Sequence, residues 1–216
     1  AMIQPYGFNL ANIREIKDKV KIVKKDMRNF NDLYLSVKQQ DFIFNCAWQV
    51  SHIDSMRKPF LDVELIIIAN LNLLEACRRF NENTKIIYAG TRGQTGKSIY
   101  LPVDENHPDN PIDIYGADKL AAEKQTMIYN NVYGIKATSI RLNTTFGERH
   151  QMKHDLYGVL NWFIRQCLKN KKITVFGKGQ QLREYNYVED AVDAMILAAQ
   201  SAKSDGEFYM LGAKKP

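Results

Sequence analysis

The segment "IYGADKLAAEK", Ile114 to Lys124, sets Tyr115 and Lys119 four residues apart. On a helix that spacing puts both side chains on one face, one turn from each other. A lysine ammonium beside a tyrosine hydroxyl favours the phenolate and makes the phenol a usable general base or acid. Upstream, Thr91 ends the run "KIIYAGT" and offers a hydroxyl able to share a proton with a bound substrate. A Tyr-x-x-x-Lys pair alone is a weak signal, because many helices carry one merely as surface. Its neighbours decide its meaning.

The loop beyond Thr91 suggests a competing chemistry. "KIIYAGTRGQTGKSIY" ends its glycine-rich part in Gly96-Lys97-Ser98, as a phosphate-binding P-loop does. That pattern places its first glycine five positions before the second. Here the position is Thr91, and Gly90 stands one place too early. An extra residue re-aims the backbone N–H groups that must converge on one phosphate. A P-loop also runs straight into a helix, whereas "SIYLPVDENHPDNP" follows with three prolines that forbid a helix interior. The loop is not a P-loop.

The elements that must position Thr91, Tyr115 and Lys119 alternate along the chain. "KVKIVKKD" reads as a strand, "DLYLSVKQ" as a short helix and "DFIFNCAW" as a buried strand. A long helix is expected from about Pro59 to Phe80, with Pro59 in its first turn. "KIIYAG" is the next strand, and a helix spans about Ile114 to Tyr133 with Gly134 as its C-cap. "IKATSIRLN" reads as a strand and "YGVLNWFIRQCLKN" as a helix. "ITVFG" and "EYNYV" are short extended segments, and "EDAVDAMILAAQS" is a helix with acidic residues at its start. Such alternation implies an α/β fold, a doubly wound parallel sheet with helices on both faces. Ligands of such sheets lie beyond the carboxyl ends of the strands. Thr91 falls at one of those ends.

Composition narrows the class. The 216 residues are 45% hydrophobic and 25% charged, which is ordinary for a globular chain with one sizeable core. No apolar run approaches the roughly 20 residues a membrane helix needs, and no secretory signal is visible. Cys46, Cys77 and Cys167 are odd in number and widely spaced, the usage of a reduced, cytoplasmic protein. The four histidines form no metal-ligand cluster, so no metal is expected. The net charge is +6, but the lysines are spread through amphipathic stretches such as "REIKDKVKIVKKDMR". Without a basic platform interleaved with aromatics, nucleic acid is not the expected partner.

Taken in order, these segments resemble the extended short-chain dehydrogenase/reductase family, which comprises nucleotide-sugar epimerases, dehydratases and decarboxylases. "IVKKDMRN" is similar to the strand whose aspartate holds the adenine amino group, here Asp26 with Met27 beside it. "DFIFNCAWQVSHIDSMRKPF" resembles the strand that passes its end, Ala47, Trp48 and Gln49, against the cofactor. "IYGADKLAAEK" follows "PVDENHPDNP" and a strand ending Ala-Gly-Thr, as in the family. "RLNTTFGERH" is similar to the segment at the substrate mouth, and "GKGQQLREYNYVEDAVDAM" to the stretch whose arginine grips a nucleotide diphosphate.

The resemblance implies a Rossmann-like domain that binds NAD and a nucleotide-linked sugar, in a homodimer formed by the long helix and the Tyr115 helix. It assigns catalysis to Thr91, Tyr115 and Lys119. Asp26, Met27, Ala47, Trp48, Gln49, Tyr115, Lys119 and Leu142 would hold the cofactor. Gln94, Asn143, Thr144 and Arg183 would hold the substrate. Gly90 and Gly93 would let backbone approach that substrate. Arg92 and Gly93 stand where dehydratases carry an Asp-Glu pair, so epimerisation fits better than elimination.

Several positions depart from the family pattern. Trp48 replaces a small residue against the cofactor, Ile66 replaces an asparagine of the long helix, and Thr144 occupies the substrate-side asparagine position with Asn143 displaced by one. The family's Gly-x-x-Gly-x-x-Gly loop has no counterpart, which implies a truncated domain without its first strand-helix-strand unit. Residues 147–216 would begin the substrate-binding region. These departures leave a second expectation open: a non-catalytic nucleotide-sugar-binding or interaction remnant of such an enzyme.

Overall fold

The computed structural model describes residues 10–152, 158–175, 177–180 and 182–212. Its centre is a parallel sheet in the order β1-β2-β3-β6, formed by β1 (Phe42–Asn45), β2 (Lys85–Thr91), β3 (Ala137–Leu142) and β6 (Phe208–Leu211). The helices are α1 (Phe30–Val37), α2 (His52–Arg57), α3 (Pro59–Val63), α4 (Ala69–Phe80), α5 (Ile114–Tyr133), α6 (Val159–Leu168) and α7 (Val188–Gln200). A π-helical turn, Glu64–Ile68, joins α3 to α4, so the long helix expected over 59–80 forms with one widened turn. Two further strands, β4 (Thr144–Phe146) and β5 (Tyr185–Tyr187), pair parallel in a small separate sheet.

Strand β2 shows why the sheet carries helices on both faces. Its alternate residues divide between two cores, as the period of two demands. Ile86 and Tyr88 face α4 and α5, Ile86 packing with Leu73, Leu74 and Tyr129, and Tyr88 with Ile66, Tyr115 and Ala122. Ile87 and Ala89 face α7, against Met195, Ala198 and Ala199. Each fully buried branched side chain of this kind contributes about 1.5–3 kcal/mol. Strand β1 is covered on one face only. Ile43 packs into the first core and Asn45 donates to Asn70 Oδ1, whereas Phe42 and Phe44 stay 46% and 44% exposed.

One expected strand does not form. Leu10–Lys19 is a 3₁₀ helix and residues 21–26 are irregular, with Ile22 and Val23 exposed. An apolar, β-branched stretch becomes a strand only where a ladder partner satisfies its backbone, and none lies alongside it among the described residues. Ile173–Val175, in the stretch expected as a short extended segment, belongs to no sheet, and Phe176 lies outside the described residues. Conversely, β6 was not expected. Its four residues carry no clear alternation and form a strand because β3 offers a free edge.

Helix α5 is bounded as its residues demand. The Asp113 side chain caps its start by accepting from Gly116 N, and Gly134 ends it in the left-handed conformation at φ 70°. Gly116 itself is required for space. A Cβ there would lie 2.7 Å from Gly93 O, so only glycine lets α5 start directly against the turn that follows Thr91. Among the described residues no helix is long and apolar enough to cross a membrane.

Candidate functional site

The carboxyl end of β2 meets the start of α5. Thr91 is the last residue of β2 and caps a short 3₁₀ turn, Arg92–Gln94, by accepting from Gly93 N at 3.2 Å. The Gln94 side chain closes that turn from the other side, accepting from Thr91 N at 2.8 Å. Gln94 is wholly buried and its Nε2 has no partner among the described residues. It braces Thr91 from beneath. Gly90 is needed for the same packing: a Cβ there would come within 3.0 Å of Arg141, Gln94 and Ser139. The expectation that Gly90 opens a path to substrate is thereby corrected, since its free side is filled by protein.

The Tyr115 hydroxyl faces Thr91 closely enough for the threonine to favour the phenolate, so the two candidate proton-transfer groups meet at the start of α5. Burial nevertheless pushes the phenol up to about 12, outweighing the influence of Thr91. Lys119 is on the same face one turn on, but its ammonium does not serve the phenol. Its Nζ donates to Ala89 O at 2.5 Å and stands 3.6 Å from the centre of the Trp48 ring and 4.2 Å from that of Tyr88. Complete burial drives Lys119 well below the ordinary lysine range. Spacing on the helix brings the three residues together; the direction of the lysine side chain is set by the strand and by two aromatic rings.

The remaining expected site residues fall into two groups. On the cofactor side, Asp26 is held below its usual range by Arg28, whose Nε donates to Oδ1 and whose Nη2 donates to Oδ2. Asn72 fixes the backbone there by donating to Met27 O and Arg28 O. Ala47 and Leu142 are half-buried at the ends of β1 and β3. Gln49 is buried, donating to Asp62 and Ser51 O. On the substrate side, Asn143 donates to Glu184 Oε2 at 2.7 Å and Thr144 opens β4. The Arg183 side chain is exposed and donates to its neighbour Leu182 O. Ile66 is fully buried under Tyr88 and Tyr115, where it packs and offers no polar group.

The donor set suits a dinucleotide in kind: a carboxylate at Asp26, backbone at three strand ends, and Tyr115 with Lys119 beyond them. One side chain stands in the way. The Trp48 indole covers the Lys119 ammonium, and its Nε1 is buried without an acceptor among the described residues. An unpaired buried N–H costs about 1–3 kcal/mol. Turning the indole outward would relieve that cost and uncover Lys119 together.

His52, which the sequence alone does not single out, and Arg92, noted there only as standing in place of a dehydratase carboxylate, complete the site. His52, the first residue of α2, pairs its Nδ1 with Asp113 Oδ2 at 2.6 Å and packs edge-on against Tyr115 with ring centres 4.9 Å apart. The capping Ser51 beside it signals a helix start, but nothing local predicts that α2 lands on Tyr115. Arg92 follows Thr91 directly in the turn, within reach of the Arg183 charge. Burial holds its guanidinium below the ordinary value, and the Arg183 charge adds to that, while Glu184 opposes it.

Comparison with known proteins accords with this geometry. The chain is 34% identical over 190 residues to a provisionally named UDP-glucose 4-epimerase of Methanocaldococcus jannaschii, covering 87% of this chain and 62% of that one. It therefore spans about three-fifths of that relative's length. The structure superposes on the UDP-N-acetylglucosamine 4-epimerase of Methanobrevibacter ruminantium, solved with UDP-N-acetylmuramic acid, with a TM-score of 0.89 at 25% identity, covering 96% of this chain and 66% of that one. The UDP-glucose 4-epimerase of Thermus thermophilus, solved with NAD, gives 0.83 at 27% identity, covering 94% and 67%. The profile of the NAD dependent epimerase/dehydratase family matches residues 4–212, and the chain belongs to that family.

Proposed function

We propose that this chain is epimerase-like, inverting a hydroxyl-bearing carbon of a nucleotide-linked sugar with NAD as its redox partner. The observation that carries the reading is the meeting of Thr91, at the carboxyl end of β2, with Tyr115 at the start of α5, and Lys119 one turn along that helix. When bound, NAD would supply reversible acceptance of a hydride, two electrons with one proton. Tyr115 takes the proton from the sugar hydroxyl and returns it, and Thr91 passes the hydrogen bond between phenol and sugar. Lys119, once uncovered by Trp48, lowers the phenol from its buried value and holds the cofactor ribose. Asp26 and Met27 sit where the adenine would, with Ala47, Gln49 and Leu142 along the strand ends. Arg183 and Arg92 take the diphosphate, and Gln94, Asn143 and Thr144 shape the sugar side. The Arg92-Gly93 pair after Thr91, in place of two carboxylates, favours epimerisation over elimination.

A second reading is favoured by Trp48: with its indole over Lys119, the chain binds a nucleotide sugar without turning it over. One assay separates the two. The chain is incubated with NAD and a set of UDP-hexoses, and product isomers are resolved by chromatography alongside calorimetric binding. Turnover that falls about 10²–10⁴-fold in Tyr115→Phe supports the first reading. Binding without turnover supports the second, and neither binding nor turnover sinks both.

The same reading includes a homodimer through α4 and α5, a cytoplasmic setting for three free thiols, and a single domain whose residues from 147 onward begin the substrate-binding part. Helix α5 leaves Ile128, Val132 and Tyr133 at 54%, 66% and 51% exposure, an apolar strip suited to a second copy. A purely monomeric mass by light scattering overturns the dimer.

A further inference from the structure

Asp62 on α3 and Asp118 on α5 are 1% and 7% exposed, and their carboxyl groups lie in hydrogen-bonding contact. Asp62 Oδ1 accepts from Gln49 Nε2 at 2.6 Å. The Oδ2 atom of each is buried and receives no donor among the described residues. No lysine or arginine among the described residues forms an ion pair with either.

The surrounding groups do not neutralise a double charge. From α2 comes His52, already paired with Asp113, and Asp113 at the head of α5 adds a third carboxylate whose charge opposes ionisation of Asp62. From α5 come Tyr115, a phenol, and Lys119, whose own charge burial disfavours. From the segment after β1 come Gln49 and Ser51, both neutral. Two ionised carboxylates facing each other here would be uncompensated buried charges, the costliest arrangement a protein interior offers. A single proton between them removes the problem. The protonated oxygen donates, the other carboxylate accepts, and the vacant oxygens are supplied by one another.

We propose that Asp62 and Asp118 share one proton and act as positioning residues, latching α3 and the Gln49–His52 segment onto the helix that carries Tyr115 and Lys119. The latch depends on packing alone and stands whether or not the proposed reaction does. Its bearing on the site is electrostatic and mechanical. The Asp62 charge acts on both Tyr115 and Lys119, and Gln49 ties the cofactor-side strand end to the same carboxyl. Burial and the neighbouring Asp62 charge push Asp118 up to about 7, and burial raises Asp62 as well. The proton is therefore held through mildly acidic conditions and leaves near neutrality, after which the two charges push α3 away from α5.

Asp118→Asn isolates the effect, because the amide donates to Asp62 but does not titrate. Urea unfolding of both proteins is followed between about pH 5 and pH 8.5. A carboxyl protonated only in the folded state stabilises fully below its unfolded value near 4 and loses that contribution as pH rises to the folded value. Relative to Asp118→Asn, the wild-type folding equilibrium constant is expected to fall on the order of 100-fold across that range. A difference between the two proteins that does not change with pH overturns the proposal. Infrared spectra of the wild type provide a second readout that needs no variant. A protonated-carboxyl C=O band present at about pH 6 and gone by about pH 8.5 is expected. Its absence at the lower pH overturns the proposal equally.

Discussion

The Lys119 ammonium lies 3.6 Å from the centre of the Trp48 ring and bonds to Ala89 O, although the helix sets Lys119 on the same face as Tyr115. The catalytic pairing that the Tyr-x-x-x-Lys spacing suggests is thus arranged by the helix and withheld by the strand beside it. Whether the lysine serves the phenol depends on the position of one indole.

Trp48→Gly removes that indole and should tighten dinucleotide binding. A cation–π contact with a desolvated ammonium is worth about 0.5–2 kcal/mol, which converts to roughly a 2- to 30-fold gain in affinity. Calorimetric titration with NAD measures it, since the fluorescence of Trp48 is lost with the residue. The melting temperature should drop at the same time, because the ring also packs on Tyr88. Weaker binding in the variant would mean that Trp48 is itself part of the cofactor site.

Arg92→Ala tests the proposed contact of Arg92 with a nucleotide diphosphate. Loss of one charged hydrogen bond of about 1.5–3 kcal/mol should weaken a nucleotide diphosphate roughly 10- to 150-fold, more steeply at low salt. Folding stability should change little. Equal affinity for the variant at low ionic strength would remove Arg92 from the site.

Arg141 holds the proline-rich loop to the sheet. It is 1% exposed and pairs with Glu123, also wholly buried, and with Asp109 at 2.6 Å. Its guanidinium lies above the ordinary range because these two carboxylates outweigh the penalty of burial. Glu123 also accepts from Ser139 Oγ at 2.6 Å. Breaking such a buried pair from one side costs about 3–5 kcal/mol. Urea unfolding of Arg141→Met should show that loss; a change below about 1 kcal/mol, the range of an exposed pair, would show the cluster to be solvated.

Glu75 gives an acid-side signature. Arg78, then Tyr129 and Arg79, lower its carboxyl to about 2, against burial, which raises it. A carboxyl lowered on folding stabilises above its unfolded value of 4.5 and loses that contribution as pH falls to about 2. The two arginines are partly exposed, so solvent reduces the effect to about 1–2 kcal/mol. Glu75→Gln should therefore be less stable than the wild type at neutral pH and equal to it near pH 2. Parallel stability curves for the two proteins would contradict this account.

The residue order alone determined the alternation of strands and helices, the limits of α5 with its Asp113 and Gly134 caps, and the joint presence of Thr91, Tyr115 and Lys119 at one strand end. These are local properties: periodicity, capping chemistry and turn residues act within a few positions of themselves. The stretch Lys19–Asp26 shows where locality fails. Its pattern is that of a strand, but a strand is a relation between two segments, and no described segment lies beside it. The late strand β6 is the converse, formed because β3 has an edge to offer. Only the tertiary structure decided that Trp48 covers Lys119, that His52 from α2 reaches Tyr115, and that Asp62 and Asp118, 56 residues apart in sequence, face each other in the interior. Those relations depend on how helices cross the sheet, and burial then sets the charges of the groups so enclosed. Residue types name the chemistry available; packing selects which of it is exposed to a substrate.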